Sequence, residues 1–152
     1  MPTTRWSTAI SELRSIWSSV EASSPWRRRY AWAVSGRVPR LAGAATSEQR
    51  QFAFVLAALN GKADGVAWLL KDGIPINQPS ADLCPHAICS GSLGTVKVLV
   101  EGGADLRRAD SAWNGTPLGW AQYYVDSAAP EMRDRYVAIA SYLSDRQAKT
   151  AR

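Results

Sequence analysis

The chain has 152 residues, 46% of them hydrophobic and 20% charged, with a formal net charge of +5. That is one domain's length with an ordinary globular composition, which excludes both wholesale disorder and a fold that depends on disulfides or metals. No stretch approaches the ~20 consecutive apolar residues of a membrane span, so no membrane association is expected.

The excess charge is local. Residues 1–50 carry eight Arg against three Glu, and residues 51–152 are neutral. An acidic partner or a polyanion at the N-terminal end is one reading, and a solvated basic face is the other. Residues 4–22 read as an amphipathic helix, with Trp6, Ile10, Leu13, Trp17 and Val20 on one stripe. Its polar face is rich in Ser rather than Lys, which favours packing over membrane docking. Glu12 and Arg14 interrupt any secretory apolar core.

Ser23-Ser24-Pro25 ends that helix. A second helix over 26–35 carries Arg27, Arg28 and Arg29 among Trp26, Tyr30 and Trp32, and Gly36 closes it. Cations interleaved with rings suit single-stranded nucleic acid, but no recognisable nucleic-acid motif accompanies them. Nucleic acid is therefore not the expected partner, and polyanion binding through Arg27, Arg28 and Arg29 stays open as an alternative. Ser47 is placed to cap the next helix.

A repeat follows. Leu56 to Gly73 recurs thirty residues later as His86 to Gly103. Gly61 aligns with Gly91, Gly65-Val66 with Thr95-Val96, Leu69 with Leu99, and Gly73 with Gly103. Each unit reads as a short helix, a Gly turn, a second helix and a terminating Gly. Ala57 and Ala87 are small enough for adjacent first helices to approach closely. Val66, Leu69 and Leu70, like Val96, Leu99 and Val100, make an apolar stripe on the second helix. One such pair cannot bury both faces, but stacked copies can.

These residues resemble the ankyrin repeat. The likeness is strongest from Gly91 to Leu106, which ends in Gly103-Ala104-Asp105-Leu106, and in Asn114-Gly115-Thr116-Pro117-Leu118, which matches a repeat opening. Thr116 would cap that helix with Pro117 at its first position. The second unit departs from the pattern, opening Asp82-Leu83-Cys84-Pro85 and placing His86 one position after the family's histidine. The third carries an insertion over Val125 to Pro130. The fold expected is all-α: a short ankyrin-type helix-turn-helix repeat stack with N-terminal capping helices. Residues 1–48 form the cap or a degenerate repeat, 49–81, 82–112 and 113–147 the three repeats, and 148–152 a disordered tail. In the last helix Tyr136, Ile139, Ala140 and Leu143 are expected to face inward.

The resemblance implies a protein-binding module, an adaptor or inhibitor, that uses a groove of first helices and the turns between repeats. The partner would be another protein, and the basic N-terminal third leaves an acidic one open. Carried onto this sequence, the contact positions are Asn60, His86, Ser90, Tyr123 and Tyr124, with Gln78, Arg107, Arg108 and Trp113 from the turns. Trp, Tyr and Arg are the types that dominate interface energetics.

Enzyme chemistry finds less support. Cys84, His86 and Cys89 are possible metal ligands in type, but no second pair with matching spacing exists, so no metal and no cofactor are expected. There is no phosphate loop and no nucleophile elbow. The surviving alternative is a small-molecule pocket lined by Trp26, Trp32, His86 and Trp120. Two thiols five residues apart form no disulfide framework, which points to a reducing, cytoplasmic setting.

Overall fold

The computed structural model describes residues 46–77, 83–110 and 114–150. The chain divides into two units, Met1–Ala31 and Trp32–Arg152, and every described residue belongs to the second. The expected helices over 4–22 and 26–35, Gln78 and Trp113 lie outside the described residues.

The described residues are all helix and connecting turn, with no strand among them. In chain order the helices are α1 (Ser47–Leu59), α2 (Ala63–Lys71), α3 (Leu83–Cys89), α4 (Leu93–Glu101), α5 (Pro117–Ser127) and α6 (Pro130–Thr150). None is long and apolar enough to cross a membrane. They form three antiparallel hairpins, α1–α2, α3–α4 and α5–α6. The first helices pack in sequence, α1 on α3 and α3 on α5, and the second helices do the same, α2 on α4 and α4 on α6. The result is two layers of helices, one hairpin added per step.

Residue size explains the first layer. Ala57, Ala87 and Ala121 are each fully buried, one in every first helix. A methyl group at those points lets neighbouring helix backbones approach closely, which a larger side chain would prevent. Phe54 and Ile88, also fully buried, add bulk to the same layer. The second layer is built from Val66 and Leu69, Val96 and Leu99, then Ile139 and Leu143, all fully buried. Their spacing of three or four residues keeps each pair on one helix face.

The turns repeat as the helices do. Gly61 and Gly91 sit at φ +64° and +67° between the helices of their hairpins. Gly73 and Gly103, at +87° and +94°, end the second helices. In both endings the residue after the glycine reaches back to the last turn: Ile74 N–H donates to Leu69 O at 3.3 Å, and Ala104 N–H to Leu99 O at 3.0 Å. This paired closure satisfies carbonyls that a helix end leaves open, and it needs the left-handed conformation that glycine adopts without strain.

Three details differ from the sequence expectation. The first helix is capped one residue earlier than Ser47, because Arg50 N–H donates to Thr46 O at 3.0 Å. The last helix continues through Thr150, so residues 148–150 are helical rather than tail. In that helix Tyr136, Ile139 and Leu143 are buried as expected, but Ala140 is only half-buried and lines an outward groove. At 100° per residue, 139, 143 and 136 span about 60° of the helix, and 140 lies about 40° beyond 136, at the edge of that stripe rather than its middle. Thr116 does cap α5, accepting from Gly119 N–H at 3.2 Å, with Pro117 in its first turn.

Candidate functional site

The stacking brings the ends of the first helices into a row. Gly61 lies against the next hairpin, where a Cβ on it would sit 2.9 Å from Ser92 Cβ. Ser92 Oγ donates to Gly61 O at 3.4 Å and also caps α4, accepting from Thr95 N–H at 3.3 Å. One serine thus starts its own helix and docks the preceding turn. Gly91 meets the third hairpin in the same way, with a would-be Cβ 3.0 Å from Met132 Cε and 3.6 Å from the Tyr136 hydroxyl. Asn60 and Ser90 follow the last residues of α1 and α3, and the Tyr123–Tyr124 pair lies about one turn before the end of α5 at Ser127. His86 lies one helical turn before Ser90 on α3 and is half-buried.

The side chains on this edge are not equally available. Asn60 is exposed, with Nδ2 donating to Leu56 O at 2.8 Å. Ser90 Oγ donates to Ala87 O at 2.6 Å and accepts from Ser92 N–H at 3.2 Å, so its hydroxyl serves the turn. Tyr124 stacks on Tyr136, ring centroids 4.9 Å apart at 16°, and Tyr136 Oη donates to Cys89 O at 3.1 Å. Burial, and the Cys89 thiol beside it, push the Tyr124 phenol above its ordinary value. Burial and Cys89 likewise raise Tyr136. Tyr136 therefore ties the second hairpin to the third, with Tyr124 stacked on it beside Cys89. Tyr123 stands next to Tyr124, edge-on to it at 5.5 Å and 72° and to Trp120 at 5.8 Å and 86°. Of the pair, Tyr123 is not part of the Tyr136 stack.

A second cluster lies at the opposite end of α5. Asn77, in the turn after α2, spans to the turn after α4. Its Nδ2 donates to Gly103 O at 2.9 Å and its Oδ1 accepts from Asp105 N–H at 3.0 Å. Arg108 closes the link by donating to Asn77 O at 2.9 Å. Arg107 is exposed, its backbone N–H held by Asp105 Oδ1 at 2.9 Å. The outer turns are thus cross-tied, and they present one fixed cation, Arg108, beside a freer one, Arg107. About 10 Å of helix, Pro117 to Tyr124, separates the two clusters at 1.5 Å per residue.

Sequence reasoning missed the anchor between them. Asp110 is 7% exposed. Its Oδ2 accepts from Gly115 N–H at 2.8 Å and from the Trp120 indole N–H at 2.8 Å. Asp110 and Gly115 are further joined through Asp110 N–H to Gly115 O at 3.0 Å, with Asn114 at φ +56° between them. A lone Asp before a loop carries no periodic signal. The nearest clue is Asn114-Gly115, a pair that favours left-handed turn positions. Ser92 was legible in principle, as a Ser three residues before Thr95 in a run that opens a helix.

Trp120, expected as a pocket wall, is 4% exposed with its polar atom held by Asp110. Trp26, Trp32, Arg27, Arg28 and Arg29 fall outside the described residues. Cys89 is a free thiol, and among the described residues no three metal-ligating side chains come together. Comparison of the chain with protein-family models, with curated proteins and with solved structures finds no match in any of the three.

Proposed function

We propose that this chain is a protein-binding module, a short stack of ankyrin-type repeats that holds another protein along its inner edge and outer turns. The observation that carries the reading is the thirty-residue recurrence of the whole hairpin in space. Gly61 and Gly91 share one backbone conformation, and Gly73 and Gly103 share another. Ala57 and Ala87 are buried alike. Repetition of this kind lays equivalent surface positions side by side, which gives an extended partner several regularly spaced points of contact.

The contact surface runs from Asn60 and His86 to Tyr123, with Arg107 and Arg108 at the far end. Tyr and Arg are suited to it, because each offers a large contact area and a directed polar group. The two arginines favour a partner segment with carboxylates. Tyr124 and Ser90 act within this surface as supports, since the Tyr124 ring is stacked on Tyr136 and the Ser90 hydroxyl serves its own turn. The free Cys89 thiol suits a reducing compartment, and the module is read as cytoplasmic.

The test is affinity capture from the source cells with the tagged full chain, quantified by mass spectrometry. Wild type is compared with His86→Ala, Arg107→Ala and Tyr123→Ala, with helix content checked by circular dichroism. A specific partner whose capture falls about thirtyfold in the Arg107 or Tyr123 variant is expected for hot-spot positions. Equal capture of every enriched protein by all three variants removes the reading.

A further inference from the structure

The outward side of the third hairpin carries two open grooves, of about 460 Å³ and about 590 Å³. They are continuous, because Leu118 and Gln122, one turn apart on α5, line both. The trough they form has a polarity. It begins at Arg107 and ends at Asp126, both exposed, with Val125 and Val137 along the second half. Val137 is 47% exposed, and the only other large hydrophobic side chain exposed to this degree among the described residues is Phe52.

The trough lies on the outward side of the last described hairpin. The corresponding sides of the first and second hairpins are covered by the hairpin that follows. After the third, no successor stands among the described residues. The trough's α6 wall includes Ser141 and Ser144, small enough for a facing helix to come close. Neither Arg107 nor Asp126 has an ion-pair partner among the described residues. A cation at one end, a carboxylate at the other and an apolar stretch between them make the trough complementary to its own image. A two-fold axis through the Leu118–Gln122 section sets Arg107 of each copy opposite Asp126 of the other. It also sets the Val125–Val137 half of each copy against the Leu106–Thr116 half of the other.

We propose that a second copy of this chain occupies this trough, forming a two-fold dimer in which each Arg107 faces the other copy's Asp126. Such an interface is closed, unlike head-to-tail addition of hairpins, which leaves a fresh trough open at every step. The helix ends at Asn60 and Ser90 lie outside it. Arg107 is common to both surfaces, while Asp126 and Val137 belong to the trough alone and His86, Arg108 and Tyr123 to the partner surface alone, so variants at those positions tell the two apart.

Sedimentation equilibrium of the full chain tests this directly, using wild type, Arg107→Glu, Asp126→Arg and Val137→Lys. Wild type is expected to show a concentration-dependent dimer. Each charge reversal alone makes both cross-contacts like-charged and should weaken it at least tenfold. Val137→Lys should do the same by placing a cation on the half that faces the other copy's Arg107. The decisive sample is an equimolar mixture of Arg107→Glu and Asp126→Arg. In the mixed dimer both contacts are again opposite in charge, so dimer should return, and its return also shows that both variants are folded. A wild type that stays monomeric to about 1 mM, or reversals that leave the dimer unchanged, or a mixture no more dimeric than its components, overturns the proposal.

Discussion

The indole N–H of Trp120 and the backbone N–H of Gly115 both donate to Oδ2 of Asp110, each at 2.8 Å. This single buried carboxylate fixes the loop before α5 to the core of α5 itself. Asp110→Ala leaves two donors without their acceptor, one of them on a side chain only 4% exposed. A loss of about 2–4 kcal/mol is expected. Thermal unfolding should move down by roughly 10 °C, read by circular dichroism. Asp110→Asn keeps one acceptor oxygen and should lose less. Equal melting of Asp110→Ala and wild type would show that the loop is held by something else.

The glycines of the turns make a graded prediction. Gly61 and Gly73 both have positive φ, but a Cβ on Gly61 meets Ser92 Cβ at 2.9 Å, while one on Gly73 meets nothing within 4 Å. Gly73→Ala should cost the left-handed strain alone, about 1–2 kcal/mol. Gly61→Ala should cost that and more, since the second hairpin must move away. Urea denaturation of the two variants gives the order, and a less stable Gly73→Ala contradicts the close approach of the hairpins at Ser92.

Asn77 joins two outer turns that are 26 residues apart in sequence. Asn77→Ala removes the bonds to Gly103 O and from Asp105 N–H. Both are exposed, so the expected loss is only about 1–2 kcal/mol. The sharper readout is local. Hydrogen exchange at the Asp105 amide should accelerate while exchange in the core of α4, at Val96 to Leu99, changes far less. Acceleration spread evenly over both would mean that the link is not local.

The thirty-residue period was legible because four glycines and two small buried alanines recur at fixed offsets. Each is demanded by backbone geometry or close approach rather than by generic hydrophobicity. The opening of α5 was legible for the same kind of reason, since Thr116 and Pro117 are a cap and a first-turn residue. What could not be read depends on contacts distant in sequence. Tyr124 looks like a surface residue beside Tyr123 until α6 brings Tyr136 against it, 12 residues later in the chain. Asp110 has no patterned neighbour until Trp120 turns inward. Ala140 has the right size and spacing but lies at the edge of the inward stripe, and whether an edge position is covered is set by packing against the neighbour, not by the residue itself.

Burial raises the Tyr124 and Tyr136 phenols in the folded chain. The folded state therefore holds their protons at pH values where the unfolded chain, with tyrosines near 10, releases them. Their contribution to stability is fully present below about pH 10 and is lost as pH rises from there toward the folded values. The melting temperature should fall steadily above about pH 9.5. Tyr124→Phe removes one of these groups and should flatten the fall, which a melting series from pH 8 to 11 reads directly. An unchanged slope in Tyr124→Phe rules out this source.

The central claim is that a partner protein is held along the inner edge and outer turns. Hydrogen exchange of the full chain with and without its captured partner measures this position by position. The account predicts slowed exchange at the amides around His86 to Ser90, at Arg107 and Arg108, and around Tyr123, with little change over Val137 to Ser144. Protection confined to Val137–Ser144, or to residues before Thr46, with the amides at His86–Ser90, Arg107–Arg108 and Tyr123 exchanging as in the free chain, would contradict it.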